Sequence, residues 1–115
     1  MDPKTNWRTA FDQELEQAEA SRATGNEGKA RVCARRAAGI VIREHFSRLG
    51  IPFAPHSAYQ NLLYLQAYQN TPEHIQEVAG HFLERITQEH ELPVEADLIA
   101  EARWLAFELL GEQVN

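Results

Sequence analysis

Apolar positions recur every three to four residues along almost the whole chain, and the pattern breaks only where Gly and Pro gather. In a first segment, from about Asn6 to Ala23, Trp7, Phe11, Leu15, Ala18 and Arg22 share one side while Asp12, Glu16 and Glu19 face elsewhere, the signature of an amphipathic helix. Gly25 is placed to end it and Asn26 to cap the next segment, Glu27 to Leu49. That second segment is apolar over most of its circumference, which predicts a central helix touched on several sides. Its small residues Ala34, Ala37, Ala38 and Gly39 would admit close neighbours. Gly50, Pro52 and Pro55 then break the chain. Ser57 can cap a third segment, rich in Tyr and Leu up to Gln69, and Thr71-Pro72 opens a fourth with Thr as the cap. The fourth buries Ile75, Val78, Ala79, Phe82, Leu83 and Ile86. Beyond Pro93 a fifth turns Leu98, Ile99, Ala102, Leu105, Ala106 and Leu109 inward. No strand pattern, repeat or low-complexity segment interrupts the series. Short connections between helices favour antiparallel neighbours, so the expected fold is all-α, an up-and-down antiparallel bundle of about five helices.

At 115 residues and 43% apolar content the chain is expected to form one domain, 1–115, around a single core. No apolar run approaches the roughly 18 residues that span a bilayer, and the start lacks a signal peptide's apolar stretch. The one cysteine, Cys33, sits in an Ala-rich run and reads as a buried reduced thiol, so no membrane association and a cytoplasmic location are expected.

Charge changes the picture. The net charge is −6, yet seven of the eleven basic residues fall between Arg22 and Arg48, where only Glu27 and Glu44 oppose them. The local balance there is +5, against −3 before it and −8 after it. An exposed cationic surface on an acidic body still attracts phosphates within about 8 Å at physiological salt. Acidic composition argues against coating duplex DNA, which needs many phosphate contacts.

Projected at 100° per residue, the basic side chains of the second segment divide into two groups. Lys29, Arg36 and Arg43, seven apart, form one polar stripe with Ser47 nearby. Arg31 and Arg35 share a sector with Ile42, Phe46 and Leu49, where arginines need a partner, either a carboxylate or a bound anion; Glu27 stands four residues before Arg31. His56 precedes the Ser57 cap, near a helix N-terminus where anions are favoured. Tyr59 and Tyr64 read as core and rim aromatics. His74, Glu77 and His81 share one outward face of the fourth segment and read as solvated; the inward Glu-x-x-His pairs of a di-iron bundle and the protease His-Glu-x-x-His are absent, so neither metal nor cofactor is assigned. Arg85 and His90 close the fourth segment, five residues apart and about 140° from each other on a continuous helix.

The Gly turn after the first helix (Gly25-Asn26-Glu27-Gly28-Lys29-Ala30), the Ala-rich helix Ala30 to Phe46, the Gly-Ile-Pro loop leading to His56-Ser57 and Asn61-Leu62, and two closing amphipathic helices together resemble the HEPN domain (higher eukaryotes and prokaryotes nucleotide-binding). The resemblance implies a homodimeric helical module. Nuclease members carry an Arg followed four to six residues later by His, meeting across two subunits, and Arg85 and His90 match that spacing. The resemblance then implies metal-independent RNA cleavage, with His90 as general acid or base and Arg85 stabilising the phosphorane. Ile86 stands where family nucleases usually carry a polar residue, which favours the non-catalytic branch of the family. Members of that branch accompany a partner nucleotidyltransferase and bind nucleotide, RNA or protein.

The leading expectation is therefore a non-catalytic HEPN-like homodimer that binds nucleotide, RNA or a protein partner, with Arg31, Arg35, Arg36, Arg43 and His56 as ligand residues. A ribonuclease toxin using Arg85 and His90 and a purely structural interaction bundle are the alternatives. Phe46, Leu49 and Tyr68 are candidates for the dimer surface.

Overall fold

A computed structural model describes residues 3–51, 57–84 and 97–111, with side chains from Asn6 onward. The chain forms α1 (Pro3–Ala23), α2 (Glu27–Arg48), α3 (Ala58–Ala67), α4 (Glu73–Leu83) and α5 (Leu98–Leu110), and no strand occurs among the described residues. None of these helices is long and apolar enough to cross a membrane.

Punctuation residues set the helix ends. Gly25 takes φ +84°, and the paired bonds Asn26 N–H to Ser21 O (2.8 Å) and Gly25 N–H to Arg22 O (3.0 Å) close a Schellman turn. Asn26 Oδ1 then accepts from Lys29 N–H to start α2. Gly50 repeats the device at the other end of α2, with Ile51 N–H on Phe46 O. Ser57 and Gln60 form a capping box for α3. The expected Thr71 cap is corrected: Thr71 is buried, Pro72 occupies the cap position, and no side-chain bond caps α4.

The central helix is α2, packed against α1, α3 and α5. Trp7 at the start of α1 lies under Arg48 at the end of α2, so these two run antiparallel. Arg22 bonds Asp97 at the start of α5, and Arg48 bonds Leu110 O at its end, so α5 runs in the same sense as α2. Gly39 meets Ala58 while Phe46 meets Tyr64 and Tyr68, which makes α3 also follow the sense of α2, so these consecutive helices are not the antiparallel neighbours expected of an up-and-down bundle; nine residues separate Arg48 from Ala58, enough for the chain to return. Pairing of His74 with Glu108 and of His81 with Glu101 sets α4 antiparallel to α5.

One apolar cluster joins all five helices, with Phe11, Val41, Ile42, Phe46, Leu62, Leu65, Phe82 and Leu105 fully enclosed. Complete burial of such side chains contributes about 1.5–3 kcal/mol each. Phe46 belongs to this cluster at 0% exposure, which removes it from the candidate dimer surface; Leu49 is 52% exposed and Tyr68 half-buried. Cys33 is buried, as its Ala-rich setting suggested.

Candidate functional site

The two arginine groups of α2 meet different surroundings. Arg35 Nε donates to Phe82 O at 2.9 Å, at the C-terminal end of α4, where carbonyls lack intrahelical partners and carry partial negative charge. Arg31 is 17% exposed in its side chain, with Nε 3.9 Å from Glu27 Oε2. Glu27 is also gripped by Arg22, whose Nε and Nη2 donate to its two oxygens at 3.0 and 2.9 Å while Nη1 donates to Asp97 Oδ1 at 3.0 Å. The bond from Arg22 holds the Glu27 carboxyl below the usual carboxylate range, against the desolvation that would raise it. This flank of α2 is thus tied into the turns that join α1, α2 and α5.

On the other flank Arg36 and Arg43 are exposed, and among the described residues neither forms an ion pair or side-chain hydrogen bond. Seven residues apart, they stand about 10 Å from each other along the axis. Between them lies a recess of about 210 Å³ lined by Glu14, Arg36, Gly39, Ile40, Arg43, Ala58 and Asn61. Its floor exists because residue 39 has no side chain. A Cβ there would lie 2.9 Å from Ala58 Cβ and 3.0 Å from Ala58 Cα, so only glycine lets the first turn of α3 settle on α2. Asn61, 1% exposed, fastens the crossing by donating from Nδ2 to Gly39 O at 3.4 Å.

The helix end contributes to the field. Ser57 Oγ accepts from Gln60 N–H, while the Ala58 and Tyr59 N–H groups find no acceptor among the described residues. Free N–H groups and the positive end of the helix dipole favour anions. Lys29 extends the cationic stripe one further step of seven toward the start of α2, and among the described residues Glu14 of α1 is the single carboxylate lining the recess.

Of the sequence-predicted residues, the structure brings Arg36 and Arg43 to one recess and directs Arg31 and Arg35 elsewhere. His56, Arg85 and His90 lie outside the described residues. The expectation that Arg85 and His90 close the fourth helix is corrected in one respect: α4 already ends at Leu83, with Glu84 extended. On the face of His74, Glu77 and His81 only one residue departs from the solvated reading: His74 and Glu77 are exposed, with His74 edge-on to Trp104, while His81 is partly buried with Nδ1 2.8 Å from Glu101 Oε2. No group of three metal-ligating side chains occurs among the described residues.

Two participants escaped the sequence reading. Asn61 was visible only as part of a family pattern, and Gly39 only as a small residue, although an isolated glycine inside a helix is itself a sign of close backbone approach. Comparison of the chain with protein-family models, with curated proteins and with solved structures gives no match.

Proposed function

We propose that this protein is a non-catalytic, HEPN-like helical module, acting as a homodimer, that binds a phosphate-bearing ligand of nucleotide size at the recess between Arg36 and Arg43. The observation that carries the reading is two exposed arginines without carboxylate partners among the described residues, flanking a polar recess at the start of α3. Arg36 and Arg43 supply bidentate donors for phosphate oxygens. Arg31 and Arg35 are reassigned from ligand contact to holding the bundle together. Two guanidiniums unpaired among the described residues, on a chain of net charge −6, suit a mononucleotide or a short single strand better than a long duplex, whose binding rests on many phosphate contacts.

Isothermal titration with a nucleoside monophosphate and with a short single-stranded RNA, at several salt concentrations, tests this reading. The double variant Arg36→Ala, Arg43→Ala should lose affinity about ten- to a hundredfold and flatten the salt dependence by one to two phosphate contacts. Absence of binding by the natural sequence, or affinity untouched in the double variant, overturns it. The tied flank alone favours a second reading, a purely structural bundle, which predicts that absence.

A further inference from the structure

A second cavity opens at the far end of α2, on another side of that helix from Arg36 and Arg43. It measures about 340 Å³, within the size range of small-molecule sites, and four helices converge on it. Leu49, Ile75 and Leu109 give it apolar walls, Tyr68 lies against one side, and His45 and Glu108 bring titratable groups. Asn70 and Thr71 add uncharged polar atoms from the turn between α3 and α4.

The charge of this lining is one-signed. Glu108 is its sole carboxylate, and no Lys or Arg lines it among the described residues. Desolvation, together with the nearby Arg48, holds the His45 imidazole below its ordinary range despite its bond to the Leu109 backbone. At neutral pH the ring is therefore uncharged, and with one nitrogen donating to that carbonyl the other remains an acceptor. Arg48 itself is engaged with Glu44 and Leu110 O. His74 reaches only to 3.8 Å from Glu108 and is exposed at the rim.

We propose that this cavity binds a small organic cation, with a primary ammonium group against the Glu108 carboxylate and an aliphatic body on Leu49, Ile75 and Leu109. Tyr68 adds an aromatic wall to the cavity. Its ring is held edge-on to Phe46 at 5.2 Å and stacked near Tyr64 at 6.2 Å, so the wall is formed before a ligand arrives. The site is independent of the phosphate reading and stands if that reading fails.

The test is a chemical-shift titration of the full chain with n-butylammonium, n-butanol and butyrate at neutral pH. Saturating shifts at His45, Ile75 and Leu109 are expected with n-butylammonium, with affinity in the order ammonium, alcohol, carboxylate. Extending the amine to n-hexylammonium should tighten binding several-fold for each added methylene that is buried, at about 0.8 kcal/mol per group. Glu108→Gln, at a site on the rim of the fold, should weaken the amine about tenfold and leave n-butanol unchanged. Equal affinity for amine and carboxylate, an amine affinity indifferent to Glu108→Gln, or no saturating shift at Ile75 and Leu109 overturns the proposal.

Discussion

Arg35 and Arg36 are neighbours in sequence and opposites in the fold. One step of 100° sends Arg35 to the end of α4, where it completes a backbone carbonyl, and Arg36 to an exposed flank where no carboxylate pairs with it among the described residues. Arg31 joins the first and Arg43 the second. Charge density along the chain is the same for both pairs, so it cannot separate a cation that holds helices together from one available to a ligand. What separates them is which neighbouring helix, and which part of it, each flank meets. The paired flank meets a helix C-terminus and the carboxylates of Glu27 and Asp97; the open flank meets a helix N-terminus, which repels a guanidinium and attracts an anion.

The largest expected contrast is in ligand affinity. Removing both open-flank arginines should cost a bound nucleotide ten- to a hundredfold, about 1.4–2.7 kcal/mol, by titration calorimetry. Arg31→Ala should change that affinity less than threefold. The reverse ranking would erase the distinction between the flanks. Next comes the wall that shapes the open flank. Gly39→Ala would press a methyl group against the Ala58 backbone, an overpacking that costs about 1–3 kcal/mol, offset by up to about 1 kcal/mol of better helix propensity. A net loss of about 1–2 kcal/mol in urea unfolding is expected, with weaker nucleotide binding as α3 lifts away. A neutral or stabilising Gly39→Ala would mean that the crossing is looser than 3 Å contacts require.

Much of the fold was legible because local rules and global packing agree. The Gly25 turn, the Asn26 and Ser57 caps and the all-round apolar α2 each follow from a residue type whose geometry admits few alternatives. Thr71-Pro72 misled because a cap signal competes with burial, and here the threonine went inward. The site was half-legible. Periodicity separated Arg36 and Arg43 from Arg31 and Arg35, yet nothing in one helix says what faces it. His81 shows the same gap from the other side: its spacing with the exposed His74 suggested a solvated face, and only the position of Glu101, twenty residues beyond, explains why His81 turns partly inward.

A smaller effect belongs to the paired flank itself. Arg35→Ala leaves the Phe82 carbonyl without its charged donor, and hydrogen bonds to charged groups contribute about 1.5–3 kcal/mol when well shielded. Partial solvent access reduces this to about 1 kcal/mol. Arg36→Ala, exposed and unpaired among the described residues, should stay within about 0.5 kcal/mol of the natural sequence. Chemical denaturation of the two single variants compares the flanks directly, and equal losses would refute the assignment of Arg35 to the scaffold.

The smallest effect is a pH dependence confined to the paired flank. Glu27 is held below the ordinary carboxylate range chiefly by its bond from Arg22. At Asp97 desolvation pushes upward but is outweighed by the Arg22 guanidinium and the Ala100 N–H, so that carboxyl is lowered as well. A carboxyl that is more acidic in the folded state binds fewer protons there than in the unfolded chain. Its stabilisation is therefore complete above the ordinary carboxylate range and is lost as pH falls through the lowered folded values. Because these side chains are 38–55% exposed, each pair contributes only a few tenths of a kcal/mol. Glu27→Gln should flatten the acid limb of a stability–pH curve by that amount. Arg36→Ala and Arg43→Ala should leave the limb unchanged, since no carboxylate among the described residues pairs with them. A limb that responds to Arg36→Ala instead would mean that Glu14 of the recess pairs with this arginine in solution and closes the recess to anions.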